Sequence, residues 1–189
     1  LVAFALFTTQ TNTSSVSAAQ PSDYGWKGGD RITAYQQAGD PDIFVVGEEN
    51  HIRAYKRNFQ NEAICRMYGH FGVGGCFAAG LRQVSPAQRD AFKTSCYYTN
   101  AENRDGKVWF MQATGPDSGM LRHVQLSGAA AVAADEDFFL KVFGINNLEA
   151  AYYPVGTPIT DPSQIPACVT GEGQATPTPT PIPGNVSVS

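Results

Sequence analysis

"GINNLEAAYYPVG", residues 144–156, and "QVSPAQRDAFKTS", residues 83–95, share few letters and one physical plan. When Ser85 is laid on Asn146, Leu81 falls on Val142, Val84 on Ile145, Phe92 on Tyr153 and Ser95 on Gly156. Ser85 is a good helix N-cap, Pro86 suits the first helical position and Gln88 stands at the third. Asn146 and Glu149 occupy the same places in the later stretch. Both therefore predict a capping box, in which the cap and third-position side chains satisfy each other's exposed backbone N–H groups. Val84 or Ile145, just ahead of the cap, would pack as a hydrophobic staple. Each short helix would then deliver an aromatic, Phe92 or Tyr153, to the core.

The agreement extends upstream. "DIFVVGEENHIRAYKR" (42–57) and "KVWFMQATGPDSGMLRHVQL" (107–126) each hold an apolar run, a polar turn with glycine and a second run carrying a histidine, His51 or His123. Each predicts a β-hairpin. A helical segment follows each hairpin. In "NEAICRMYGHF" (61–71), Ile64, Met67, Tyr68 and Phe71 fall on one face. In "SGAAAVAADEDFFLKVFG" (127–144) an Ala-rich run leads into a Phe-rich one. A unit of this size is marginal alone, whereas two stacked units can share a core. The expected fold is α+β: two similar units packed as one pseudo-symmetric body. The expected divisions are an apolar N-terminal segment and linker (1–29), unit one (30–100), unit two (101–168) and a Pro/Thr-rich stalk (169–189).

The ends carry their own signals. "LVAFALF" (1–7), followed by a polar stretch, is compatible with the end of a signal sequence, a membrane anchor or a β-strand donated to a neighbouring subunit. "ATPTPTPIPG" (175–184) lies in a low-complexity tail whose alternating prolines favour an extended, solvated chain. The four cysteines form no CxxC pair and suit disulfides in an oxidising compartment, with buried free thiols as the alternative. They allow three connectivities. The glycines between Cys65 and Cys76 favour closing that short loop, with Cys96 joined to Cys168.

These patterns resemble tandem-repeat modules of secreted and cell-surface proteins, surface-layer or wall-associated, of small-genome bacteria. The resemblance rests on "HIRAY" (51–55), "RHVQL" (122–126), "CRMYGHFGVGGCFAAGLRQVSPAQRDAF" (65–92) and "FFLKVFGINNLEAAYYPVGTPIT" (138–160). It implies a building block in which no enzymatic activity attaches to the module itself. The place beside the second strand, where many such modules carry Trp or Arg, is taken here by His51, Arg53, Arg122 and His123.

The chemistry expected from the residues is modest. A formal net charge of −4 argues against nucleic acid as a partner. His51, His70 and His123 show no metal-ligand spacing, and no serine stands in a nucleophile-elbow context. "GVGG" (72–75) lacks the Lys-Ser/Thr ending of a phosphate loop. Asp135, Glu136 and Asp137 offer clustered carboxylates for calcium, or a solvated helix end. Tyr97, Tyr98, Trp109, Phe110, Tyr152 and Tyr153 could line a sugar-binding face, and strand alternation turns either Trp109 or Phe110 outward. The possible ligand-facing residues are Trp109, His51, His123 and Arg122. The expectation is a non-enzymatic extracytoplasmic surface module with no cofactor. Its partners would be other surface subunits or cell-wall polysaccharide, and any membrane contact would run through the N-terminal segment alone. The alternatives are a pilus or filament subunit polymerising through that segment, and a carbohydrate- or peptidoglycan-binding module of a wall enzyme.

Overall fold

Alternating burial along short strands builds two sheets, and the computed structural model describes residues 17–33, 42–49, 52–68 and 81–169 of the chain. In the first sheet Ile32, Phe44 and Val46 turn one way and Val45 and Arg57 the other, as the period of two requires. Its strands are β1 (Arg31–Thr33), β2 (Phe44–Val46), β3 (Tyr55–Asn58), β4 (Leu81–Gln83) and β5 (Lys93–Thr94), in the order β4-β1-β2-β3-β5. The second sheet holds β6 (Tyr97–Asn100), β7 (Trp109–Gly115), β8 (Ser118–His123) and β9 (Val142–Ile145), in the order β8-β7-β6-β9. Among the described residues four short α-helices accompany them: α1 (Glu62–Arg66), α2 (Pro86–Asp90), α3 (Gly128–Ala134) and α4 (Asn147–Tyr152). The fold class is α+β.

The two sheets use one wiring. β1 and β6 each pair antiparallel with the first arm of a hairpin, β2–β3 or β7–β8. On its other side, each pairs in parallel with the strand that leads into a capped helix, β4 or β9. The register agrees residue by residue. Ile32 faces Phe44 and Arg82, while Tyr98 faces Trp109 and Phe143. Phe44 faces Asn58, while Trp109 faces His123. Thr94 pairs in parallel with Lys56, and Val155 with Leu121.

The capped helices start at Ser85 and Asn146, whose side chains accept from the N–H groups of Gln88 and Glu149. Other expectations change. The helix predicted over 61–71 stops at Arg66, and His70 and Phe71 lie outside the described residues. The Phe-rich half of 127–144 is not a continuous helix. Asp135 is extended and ends α3, residues 138–141 form one tight turn, and 142–144 belong to β9. Pairing beside β6 gives the backbone of this aromatic and β-branched run its hydrogen bonds outside a helix. Tyr97–Asn100, placed by sequence in unit one, forms a strand of the second sheet.

The main core lies between and around the sheets, joining Ile43, Phe59 and Ile64 to Tyr98, Met111, Leu121, Phe143 and Tyr153. A smaller core covers the far face of the first sheet, where Trp26 stacks on Tyr24 at 4.6 Å and lies 6.1 Å from Phe92. Lys56 is buried on that face. Its ammonium donates to the Phe92 carbonyl and sits 5.2 Å from the Phe44 ring centroid. Burial pushes this amine down to about 8, partly opposed by Asp90 and reinforced by Arg89.

A pH dependence follows. Below pH 8 the amine is charged whether the chain is folded or not, and the burial penalty is fully present. Between pH 8 and about 10 the unfolded chain holds the proton that the folded one has released, so stability rises with pH. Above that, Tyr97 and Tyr98, both pushed up to about 12 by burial, keep their protons in the fold while the unfolded chain loses them, and stability falls. The expected rise from Lys56 is about 1–3 kcal/mol. Urea denaturation at pH 7.5 and 9.5 should show it, and Lys56→Met should remove it. An unchanged midpoint across that interval counts against the assignment.

Candidate functional site

A buried ion pair between the two units is not legible in the sequence. Arg57, the third residue of β3, points from the first sheet toward the second unit. Its Nη1 and Nη2 donate to Glu149 Oε1 and Oε2 of α4 at 2.8 and 3.1 Å. The two side chains are 3% and 0% exposed. Three rings enclose the guanidinium, with centroids 4.6 Å (Phe59), 5.4 Å (Tyr68) and 5.3 Å (Tyr98) from Cζ. Burial opposes the charge on Arg57. The Glu149 carboxylate, with smaller contributions from the Tyr98 and Tyr68 phenol groups, outweighs it, so its pKa is raised overall.

Glu149 explains why the second capping box is only half made. Its backbone N–H is capped by Asn146 at 2.8 Å, but its carboxylate does not turn back to the Asn146 N–H. The carboxylate goes to Arg57 and accepts from the Tyr68 hydroxyl, with Tyr153 Oη at 3.5 Å. The Asn146 N–H points instead at Tyr68 Oη, 3.4 Å away. In the first unit Gln88 closes the box on Ser85, because no guanidinium is there to draw it off. A charge-assisted, two-pronged bond to Arg is the stronger partner in a dry site. Burial raises the pKa of Tyr68 and Tyr153, which therefore stay neutral donors.

This cluster forms part of the lining of a cleft of about 220 Å³, which Val45, Gly47, Ile52, Phe59, Tyr68 and Phe143 also border. With its lone pairs taken by Arg57, Tyr68 and Tyr153, Glu149 is committed to the junction. A second hollow of about 360 Å³ lies where Arg53, Tyr55 and Lys93 meet Asp137 and Leu140. There Tyr55 Oη donates to Asp137 at 2.9 Å, and Lys141 pairs with Asp135. Asp137 thus braces the two units while Asp135 is held within the second, and no group of three or more potential metal ligands is found among the described residues.

Trp109 and His123 are cross-strand partners with ring centroids 5.1 Å apart, both half-buried, and His123 Nδ1 lies 3.0 Å from Gln125 Nε2. Strand alternation alone predicts that either Trp109 or Phe110 turns outward. Both faces of the second sheet are largely covered, so Phe110 is buried and Trp109 half-buried. Arg122 is occupied by main-chain oxygens of a trailing segment, at 2.8 Å (Thr157) and 3.4 Å (Gln164), and by Gln112 at 3.3 Å. It is therefore not grouped with the Trp109–His123 pair in one ligand-facing site. His51 and Cys76 lie outside the described residues. Cys96 and Cys168 are bonded, with Cα atoms 5.5 Å apart, and Cys65 is disulfide-bonded as well.

The missed signal was a contrast between the repeats. Glu149 puts a charge at the helix position where Gln88 carries none, and a charge there is a candidate for a partner in the other unit. No described helix is long and apolar enough to cross a membrane. No protein-family model, no curated protein and no solved structure matches the chain.

Proposed function

We propose that the protein is a non-enzymatic module displayed outside the cytoplasm on its Pro/Thr-rich tail, contributing to a cell-surface assembly. The observation that carries this reading is the Cys96–Cys168 bond. It fastens the root of the "ATPTPTPIPG" tail to the middle of the fold, and a bond of this kind persists in oxidising compartments. The buried polar groups support the same role. Arg57, Glu149, Tyr68 and Asp137 are spent on joining the two units, which suits a body built to keep its shape.

The reading is tested on intact cells that produce the protein, with a membrane-impermeant amine reagent. Lys93 is exposed and should be labelled without lysis. Labelling only after lysis would overturn the surface assignment. The half-buried Trp109–His123 pair favours a second reading, a carbohydrate-binding module, because a sugar ring can stack on an indole. Sedimentation with purified wall material separates the two. Binding that Trp109→Ala abolishes supports the second reading, and no sedimentation leaves the first.

A further inference from the structure

The matched registers say more than that the sheets are alike, because they show what each unit leans on. Arg57 and Arg122 are equivalent, facing Val45 and Phe110 in the matched hairpins. Arg57 is met by the helix of the following unit. Arg122 is met instead by the carbonyls of Thr157 and Gln164.

The chain also leaves both units in the same way. The N–H of Ser95 donates to the Lys56 carbonyl at 2.8 Å, and that of Gly156 to the Leu121 carbonyl at 2.9 Å. Cys96, Tyr97 and Tyr98 then open unit two, and Thr157, Pro158 and Ile159 stand in the corresponding places. Tyr98 and Ile159 are both 0% exposed. From here the paths diverge. Tyr98 founds a new sheet, whereas Ile159 pairs with Val124 beside β8. Ile165 and Cys168 then pack onto the main core, and Cys168 is tied back to Cys96.

The opposite end is closed by the same logic. Tyr153 lies in the core shared with the preceding unit, its hydroxyl 3.5 Å from the Glu149 carboxylate that Arg57 and Tyr68 of that unit also hold. Its equivalent Phe92 is covered by Trp26 and Tyr24 from the segment ahead of β1.

We infer that residues 157–168 are a terminal cap occupying the docking face for a further copy of the unit, and that Arg57–Glu149 is the coupling through which successive units stack. The partner that fits the face beneath the cap is another unit of this kind, with an acidic residue at the third position of its capped helix. The stacking is head to tail, so it would continue without limit unless capped.

The test is a three-unit chain. Residues 96–156 are repeated once in frame after residue 156, and the original Cys96 is replaced by Ser so that Cys168 can pair with the second copy. The expected product is a monomer by light scattering, with a single urea transition whose slope is steeper by roughly a third, as the added surface requires. In it, Arg122→Met should lower the urea midpoint as much as Arg57→Met does in the natural chain. In the natural chain Arg122→Met should lower it by less than half as much. The inference is overturned if the inserted copy exchanges its amides like an unfolded peptide or if the chain is insoluble. It is also overturned if Arg122→Met is no more damaging in three units than in two.

Discussion

Arg57→Met is expected to lower the free energy of unfolding by about 3–5 kcal/mol, because it strands the Glu149 carboxylate in a dry site. That is a large share of the 5–15 kcal/mol typical of a domain. The carboxylate is 0% exposed and would keep only the tyrosine hydroxyls as donors. Glu149→Gln should cost a comparable amount, since it leaves the Arg57 guanidinium buried without a counter-charge. The double variant Arg57→Met/Glu149→Leu should be more stable than Arg57→Met alone, because it leaves no unpaired charge behind. Urea denaturation of the three variants gives the ranking. A cost under about 1 kcal/mol for Arg57→Met, the range of exposed ion pairs, would mean that the junction does not depend on this pair.

The second large effect belongs to the disulfide. Cys96 and Cys168 are 72 positions apart, and the loop they close contains the whole second sheet. Opening a loop of this length should cost about 4 kcal/mol through the freedom gained by the unfolded chain. Reduction would also open the bond at Cys65, so the clean comparison is the double variant Cys96→Ser/Cys168→Ser. Its melting temperature should fall by about 8–16 °C. A fall of only a degree or two would show that the trailing segment holds its place without the bond.

Local signals survived best in passing from sequence to structure. The hairpins at 42–57 and 107–126 were legible from apolar runs flanking polar turns. The starts of α2 and α4 were legible from Ser85-Pro86 and Asn146, because cap chemistry acts within a few residues. The parallel pairings of β4 with β1 and of β9 with β6 were not. They join residues far apart in the chain, and strands of three or four residues leave little alternation to detect. For that reason residues 142–144 of β9 fall inside the helical segment that the pattern over 127–144 predicts.

The junction was hidden by a different cause. Glu149 fits a local rule, the capping box, and that rule carries no sign of a long-range partner. Arg57 sits in "YKRN", a run whose polarity suggests solvent although all four residues are buried. The Trp26 cap lay outside the repeated pattern altogether.

The account rests on two like-wired units that share one core and fold as one body. The two tryptophans test this directly, since Trp26 reports the far face of the first sheet and Trp109 the second sheet. Single-tryptophan variants, Trp109→Phe and Trp26→Phe, are unfolded in urea with fluorescence and far-ultraviolet circular dichroism recorded together. In each variant the fluorescence midpoint, which reports one unit, should coincide with the dichroism midpoint, which reports both. Adding Arg57→Met should pull the two signals apart. Separate midpoints for the two units before Arg57 is touched would contradict the account.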